Sequence, residues 1–255
     1  MITDPQVDVS GDGNLAFISL HDGKANAMST ALLDTLTDAI AQAEVMARAI
    51  VITGEGKAFS AGLALPELID LDRRAMARFM DRFAAAMRRV LECARPTVAA
   101  INGHAIAGGC VLALMCDHRL MTSAPVKIGL NEVQLGLGLP AVILEPLRAR
   151  LPPTSLTTIA LEGALVDPNE ALRLGLVDEI IAPTDLLGVA AARARTLAGG
   201  GPLAYAQIKR ALLRPMIEQI SRHDEAEREA WLDTWFSPEA QRRLRAAVAK
   251  LGHRS

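Results

Sequence analysis

The sequence predicts an α/β protein, built as a spiral of repeated ββα units and followed by a C-terminal helical region. About half of the 255 residues are apolar but only 3% are aromatic, so the core must consist mainly of Ala, Val, Ile and Leu side chains. A strand, a glycine-containing turn and a helix follow one another twice, starting at residues 49 and 97. This recurrence predicts strands in a spiral with helices outside them.

The first elements are read from turn residues and from hydrophobic spacing. The runs VDVS and LAFISL around Gly11, Asp12 and Gly13 predict a hairpin, because a GDG cluster between β-rich segments is a turn signal. The spacing of leucines after Ser29 predicts an amphipathic helix to about Ala47, with Ser29 or Thr30 as its N-cap. The next segments are a strand at 49–53 and an irregular loop from residue 54.

The middle of the chain continues the same alternation. A second helix is expected at about 71–93, and it leads to a strand at 97–101, a glycine loop and a helix that starts near Gly108. A short strand at 127–128 precedes the loop-rich segment GLNEVQLGLGLP. Beyond it we expect helices at 141–149, 154–162 and 168–174, and a strand at 175–181.

The chain divides most clearly at its run of three glycines. Gly199, Gly200, Gly201 and Pro202 indicate a linker, so we place the core at 1–198 and a C-terminal helical oligomerisation region at 199–255. The last segment carries two tryptophans and the basic run QRRLRAAVAKLGHR. A solvated amphipathic helix and an oligomer-forming helix both fit this pattern.

Composition excludes several classes of protein. The net charge of −2 gives no broad basic field for nucleic acid. The apolar stretch 96–116 is interrupted by Asn102, His104 and glycines, which argues against a membrane span. The three cysteines lack CxxC spacing and fit reduced thiols, and the first residues lack the features of a signal peptide, so we expect a cytoplasmic protein.

Several motifs, in the same order and at similar spacing, resemble the crotonase (enoyl-CoA hydratase/isomerase) superfamily. They are KAFSAGLAL at 57–65, AIAGGCVLALMCD at 105–117, IGLNEVQLG at 128–136 and DPNEALRLGLVDEII at 167–181. Each glycine cluster alone would indicate only a turn. Together the motifs imply the crotonase-like spiral and an acyl-CoA substrate, with coenzyme A as part of the substrate and no separate cofactor.

The resemblance implies that the backbone N–H groups of Leu63 and Gly108 bind the thioester oxygen. Glycines suit this role because a carbonyl can approach the main chain only where side chains leave room, and a helix that starts at Gly108 adds unsatisfied donors. Such donors stabilise charge that develops in the transition state, and removal of one typically costs roughly 100- to 1000-fold in rate.

The acids beside this oxyanion hole decide the reaction. In hydratases of the superfamily a glutamate follows the last glycine of the second motif by two residues, and Val111 stands there in this sequence. The other family glutamate is present as Glu132. Its apolar neighbours in sequence would raise its pKa and make it a proton shuttle.

One base suffices for a proton shift, and the motif details are similar to mitochondrial-type Δ3,Δ2-enoyl-CoA isomerases. We therefore expect isomerisation of 3-enoyl-CoA to trans-2-enoyl-CoA, of the fatty-acid oxidation type. A hydratase or another crotonase reaction stays open, as does a non-catalytic acyl-CoA-binding scaffold. The resemblance also implies a homotrimer or a dimer of trimers.

Further residues are expected to contact the substrate. The segment HDGKANAM occupies the place where family members bind the adenine and phosphates of CoA, and Ala64 departs from the aspartate that many members carry after the oxyanion residue. The candidate substrate-binding residues are Lys24, Ala25, Ala27, Ser60, Ala61, Gly62, Ala64, Leu65, Pro66, Gly109 and Val111.

The sequence argues against two other kinds of site, a serine-hydrolase site and a metal site. Ser60 and His104 could suggest a serine hydrolase, but the context AFSAG differs from GxSxG. His21 and His118 lack a metal-ligand pattern such as HExxH, so no metal is expected.

Overall fold

The computed structural model describes residues 6–11 and 14–252. Strand β1 (Gln6–Gly11) pairs antiparallel with β2 (Leu15–His21), which confirms both strands of the predicted hairpin. Asp12 and Gly13 of its predicted turn lie outside the described residues. Helix α1 (Thr30–Met46) follows, and the Ser29 hydroxyl caps it by accepting the Leu32 N–H.

The spiral is built from three successive strand–strand–helix units, which confirms the predicted fold class. The first is β3 (Ala49–Gly54), β4 (Ala58–Ser60) and, after the short α2 (Leu65–Leu68), α3 (Arg73–Leu91). The second is β5 (Thr97–Ile101), β6 (His104–Ile106) and α4 (Gly108–Met115). The third is β7 (His118–Thr122), β8 (Ile128–Gly129) and α5 (Ala141–Arg150).

Each unit adds one strand to each of two sheets. The larger sheet has the order β1-β2-β3-β5-β7-β10, where β10 is Glu179–Ile181, and its strands are parallel from β2 onward. The smaller sheet has the order β4-β6-β8-β9, where β9 is Leu165–Val166. The central strands β3 and β5 are buried throughout, as expected of parallel strands covered on both faces.

Helices complete the fold. A 3-10 turn (Val133–Leu135) lies between β8 and α5, and α6 (Pro168–Leu174) precedes β10. Helix α7 (Leu186–Leu197) covers one face of the larger sheet with residues such as Leu186 and Ala190. Helices α8 (Pro202–Trp235) and α9 (Pro238–Gly252) form the C-terminal region.

The C-terminal helices pack onto the body of the same chain. Trp231 and Trp235 are buried and stack with their ring centroids 5.2 Å apart, and Ala240 and Leu244 of α9 belong to the main hydrophobic core. The half-buried carboxylate of Asp117 also accepts hydrogen bonds from α8, from Lys209 Nζ at 2.7 Å and from the Tyr205 hydroxyl at 3.0 Å. Oligomerisation through this region stays a prediction.

The structure corrects several local predictions. The expected loop from residue 54 contains β4 and α2, and the glycine loop before Gly108 contains β6. Strands β7 and β9 were not predicted, because runs of two to five residues give little periodicity. The expected strand at 175–181 begins only at Glu179, since Gly175 is left-handed (φ 80°) and ends α6.

The expected helix at 154–162 is irregular. It consists of a 3-10 turn (Pro153–Ser155) and a π-helical turn (Thr157–Leu161). The apolar stretch 96–116 forms β5, β6 and α4. Across the described part of the chain, no helix combines the length and apolar character that a membrane crossing requires.

Candidate active site

The two glycine-bearing segments lie against each other. Gly62 has a φ of 86°, and a Cβ atom placed on it would lie 3.2 Å from the Gly108 nitrogen and 2.9 Å from the Ala107 Cβ. A Cβ atom on Gly108 would lie 2.9 Å from the Met28 sulfur and 3.5 Å from the Gly62 Cα. Gly62 therefore requires glycine, because of its positive φ and the main chain beside it, whereas a side chain on Gly108 would mainly displace the flexible end of Met28.

The backbone around Leu63 leaves one N–H group pointing away from its neighbour strand. Met28 and Leu63 form an isolated parallel bridge. The Met28 N–H donates to Gly62 O at 2.7 Å, and the Ala64 N–H donates to Met28 O at 3.1 Å. Because successive peptide groups of an extended segment point in opposite directions, the Leu63 N–H faces the opposite side.

The second donor lies at a helix N-terminus. Gly108 is the first residue of α4, so its N–H has no acceptor within the helix. The preceding Ala107 has φ 50° and ψ −118°, an unusual conformation for a residue with a side chain. Its N–H donates to Gly129 O at 2.9 Å and its carbonyl accepts the Val111 N–H at 3.0 Å, which fixes the start of the helix.

Leu63 and Gly108 line one cavity of about 280 Å³. Its walls are mainly apolar and come from many parts of the chain. The remaining lining residues are Ala61, Leu65, Met80, Phe83, Ile106, Ala107, Asn131, Glu132, Leu135, Leu137, Ile143, Trp231, Ala247, Lys250 and Leu251. An apolar cavity with a few polar groups is typical of a small-molecule site.

Glu132 is the one carboxylic acid among the described residues that line the cavity. It is only 8% exposed, and burial raises its pKa from the ordinary value of 4.5 to about 7. Its Oε2 atom is buried without a hydrogen-bond partner in the described part of the chain. A buried carboxyl with one unpartnered oxygen exchanges protons near neutral pH, which suits a general acid–base.

The other predicted site residues lie at different depths. Ala61 and Leu65 line the cavity with Leu63, whereas Ala64 and Pro66 adjoin it without lining it. Val111 is fully buried in α4 and contributes no cavity wall.

Ser60 and Gly109 lie behind the two glycine-bearing segments, where Gly109 is in close contact with the Ser60 main chain. The buried Ser60 hydroxyl donates to Asn26 O at 2.7 Å and accepts the Gly62 N–H at 3.2 Å, which leaves it no nucleophilic role. His104 is exposed and its Nδ1 accepts the Lys127 N–H at 3.0 Å. His118 Nε2 lies 3.0 Å from a carboxylate oxygen of Glu179, away from the cavity.

The segment with Lys24, Ala25 and Ala27 lies beside the segment that contains Gly62 and Leu63. Ala25 O accepts the Ala61 N–H at 2.9 Å. The Asp22 carboxylate accepts the N–H groups of Lys24 and Ala27 at 2.7 and 2.9 Å, so it shapes the turn. Lys24 itself is exposed.

Sequence reasoning missed most of the cavity floor. Met80 and Phe83 come from α3, Ile143 from α5 and Trp231 from α8, and all four are buried. It also missed Asn26, which has a φ of 56° and whose amide donates to Ala58 O at 2.8 Å. Asp22 and Asn26 in HDGKAN are typical turn residues, which is a signal that could have identified them.

Comparison with known proteins agrees with this geometry. The family model described as enoyl-CoA hydratase/isomerase matches residues 10–248. A putative enoyl-CoA hydratase of Thermus thermophilus is 35% identical over 209 residues, which cover 79% of this chain and 81% of that protein.

Solved structures of two proteins are also similar. A Mycobacterium tuberculosis protein is described in one structure as an enoyl-CoA isomerase and in another as a probable enoyl-CoA hydratase, and both are 30% identical with a TM-score of 0.82. The first covers 88% of this chain and 98% of that chain, and the second covers 86% and 93%. Human mitochondrial delta3-delta2-enoyl-CoA isomerase has a TM-score of 0.93, covering 98% of this chain and 99% of that chain. At 24% identity it supports the fold alone. The extent of the family match, together with the paired glycine segments, shows that this chain belongs to the enoyl-CoA hydratase/isomerase family.

Proposed function

We propose that this protein isomerises 3-enoyl-CoA esters to trans-2-enoyl-CoA esters, with Glu132 as its single acid–base group. The observation that carries the proposal is the buried carboxyl of Glu132 in the same cavity as the N–H groups of Leu63 and Gly108. A proton shift needs one group that can both take and return a proton, and a site for the negative charge in between.

The proposed reaction consists of two proton transfers by Glu132. The Glu132 carboxylate removes a proton from C2 of the 3-enoyl thioester, and the electron pair moves onto the thioester oxygen to give a dienolate. The N–H groups of Leu63 and Gly108 donate to that oxygen. The protonated Glu132 then returns its proton to C4, the double bond moves to C2–C3, and the thioester carbonyl forms again.

The pKa of Glu132 supports this double role. At a value of about 7 the carboxyl is ionised in a large fraction of molecules at neutral pH, yet it is a stronger base than an exposed glutamate. The apolar walls around it, such as Leu135 and Leu137, exclude water that would compete for the proton.

The residue at position 111 distinguishes the proposed isomerisation from hydration. Hydratases that the sequence resembles carry a second glutamate at this position, which helps to hold the attacking water. Here the side chain is a fully buried isopropyl group. Hydration is nevertheless the second candidate, because relatives such as the Thermus thermophilus protein are named as hydratases. A non-catalytic acyl-CoA-binding scaffold is the third.

The substrate's CoA part is assigned to the turn beside the oxyanion segments. We place it along Lys24, Ala25 and Ala27, with the thioester at Gly62–Ala64 and the acyl chain towards the apolar cavity floor. No separate cofactor takes part in this reaction. A cytoplasmic location and a homotrimer or dimer of trimers complete the proposal.

The test compares Glu132→Gln with wild type in 3-hexenoyl-CoA turnover and in binding of hexanoyl-CoA. Glutamine keeps the size of the side chain but carries no transferable proton, so kcat should fall on the order of 1000-fold while binding stays within about threefold. Glu162→Gln, at an exposed position, is the matched control.

Two other outcomes would contradict the proposal. Turnover retained in Glu132→Gln would remove Glu132 from the mechanism. Wild-type protein that binds the ester but converts neither 3-hexenoyl-CoA nor crotonyl-CoA would indicate the scaffold.

A further inference from the structure

The Glu132 carboxylate takes its position from the backbone that carries it. The main-chain carbonyl oxygen of Glu132 accepts the N–H groups of Leu135 and Leu137 at 2.8 and 2.9 Å, so residues 132–137 form one compact turn. The side chain makes no cap bond to this turn, and its Oε2 atom has no partner in the described part of the chain. Movement of the turn would therefore move the carboxylate as well.

The C-terminal helices hold this turn at Gln134 and at the residue that follows it, Gly138. Arg243 of α9 donates from Nη1 to Gln134 O at 2.7 Å. Thr234 of α8 accepts the Gly138 N–H at 3.0 Å and donates to Trp231 O at 2.7 Å. Between these bonds the turn is in close contact with α9, since a Cβ atom on Gly136 would lie 3.3 Å from Ala240 Cα.

The opposite side of the turn is anchored to the body. Gln134 donates from its amide to Glu162 O at 3.1 Å and to Gly163 O at 3.2 Å. The turn thus bridges the body and the C-terminal helices, which also line the cavity through Trp231 and Lys250.

We propose that Thr234 and Arg243 are positioning residues, which hold the Glu132 turn at the reacting carbons from the C-terminal helices. This inference rests on the proposed function. Neither side chain lines the cavity, so both act through the backbone of the turn. Displacement of a catalytic group by about 1 Å can reduce the rate by about 100-fold, so two hydrogen bonds at this place have a measurable effect.

The chain offers matched variants for a test. Arg243→Met and Thr234→Val remove the two bonds, whereas Arg243→Lys and Thr234→Ser keep a donor and an acceptor. Arg245→Met is the control, because Arg245 lies on the same helix but pairs with Asp70 at the surface, at 3.0 Å.

Two readouts separate positioning from simple destabilisation. In 3-hexenoyl-CoA turnover, kcat of Arg243→Met and Thr234→Val should fall about 10-fold with KM changed less than about twofold. The conservative variants should recover most of kcat, and Arg245→Met should match wild type.

The second readout is independent of catalysis. The pH midpoint of Glu132 is obtained by comparing the pH dependence of unfolding in each variant with that of the same variant carrying Glu132→Gln. The other ionisable groups near Glu132 are Lys250 in the cavity and the buried Cys110 thiol of α4. A displaced carboxyl gains solvent, so the midpoint should fall by about one pH unit in the two disruptive variants and stay constant in the control.

The outcomes distinguish the two proposals. An unchanged midpoint and an unchanged kcat in Thr234→Val and Arg243→Met would overturn the positioning role, as would equal effects of Arg243→Met and Arg245→Met. If Arg243→Met does not fold, Thr234→Val decides. A shifted midpoint in a protein without isomerase activity would keep the positioning role and reject the proposed reaction.

Discussion

Gly109 contacts the Ser60 carbonyl so closely that a Cβ atom on Gly109 would lie 2.2 Å from that oxygen. This contact joins the first turn of α4 to the strand that leads into the Leu63 segment. Of the two adjacent glycines at the start of this helix, Gly109 is the one that the main chain of Ser60 requires, whereas a Cβ atom on Gly108 would lie closest to the Met28 sulfur, at 2.9 Å. The distance between the two proposed oxyanion donors therefore depends on Gly109.

Gly109→Ala should separate the two segments. The backbone of residue 60 must move to admit the methyl group, and overpacking of this kind costs about 1–3 kcal/mol. We expect a loss of kcat of about 100-fold, since the donors move relative to each other. The measurement is urea unfolding together with 3-hexenoyl-CoA turnover.

Gly188→Ala is the control for this substitution. Gly188 lies exposed in α7 with no atom within 4 Å of an added Cβ. Alanine there should stabilise the helix by about 0.5–1 kcal/mol and leave activity unchanged. Wild-type activity in Gly109→Ala would show that the spacing of the two segments is unimportant.

Because burial raises the pKa of Glu132, the stability of the folded protein depends on pH. The folded protein binds this proton more tightly than the unfolded chain, because burial raises the pKa from 4.5 to about 7. The free energy of unfolding should therefore fall as pH rises from about 4.5 to 7, by about 3 kcal/mol, and the loss is complete above pH 7.

Glu132→Gln removes this titration. Relative to wild type, the variant should gain about 3 kcal/mol in unfolding free energy between pH 4.5 and pH 8, as measured by denaturant unfolding at both values. Parallel curves for the two proteins would mean that the carboxyl is not desolvated in solution.

The pH dependence of activity should reflect the same group, but activity should rise with pH whereas stability falls. The base form of Glu132 starts the reaction, so kcat/KM for 3-hexenoyl-CoA should rise with pH through a midpoint near 7 and then reach a plateau. A midpoint near 4.5 would indicate a solvated carboxyl and would contradict the environment described for it.

The ion pair between Lys209 and Asp117 should be important for stability. Lys209 is buried, and its Nζ lies 2.7 Å from the Asp117 carboxylate. Lys209→Met leaves the half-buried Asp117 carboxylate without its cation and should cost about 3 kcal/mol in unfolding free energy. The exposed pair of Arg82 and Asp34 is the comparison, where Arg82→Met should cost less than about 1 kcal/mol. Similar losses in both would show that burial does not strengthen the contact.

The sequence carried strong signals for the parts of the site that depend on backbone conformation. The glycine motifs around Gly62 and Gly108 were recognisable because the close approach of main chains at Gly62 and Gly109 leaves no room for a side chain. Glu132 was recognisable through its motif, but its burial depends on residues far away in the chain. Periodicity alone could not place it beside α8 and α9.

The apolar floor shows where sequence reasoning ends. Hydrophobic spacing places Met80 and Phe83 on the buried face of α3, but the same spacing describes side chains of the ordinary core. Whether such a residue faces a cavity depends on the tertiary packing of α3, α5 and α8. The short strand β9, of two residues, is likewise set by its partner in the sheet, whereas the strand predicted at 127–128 corresponds to β8 with a shift of one residue.

The most direct test of the central claim is a side-by-side assay of the purified protein with 3-hexenoyl-CoA and with crotonyl-CoA. With one carboxyl in the cavity and Val111 in place of a second, isomerisation of 3-hexenoyl-CoA should be the faster reaction in kcat/KM. Faster hydration of crotonyl-CoA would contradict the proposed one-base proton shift.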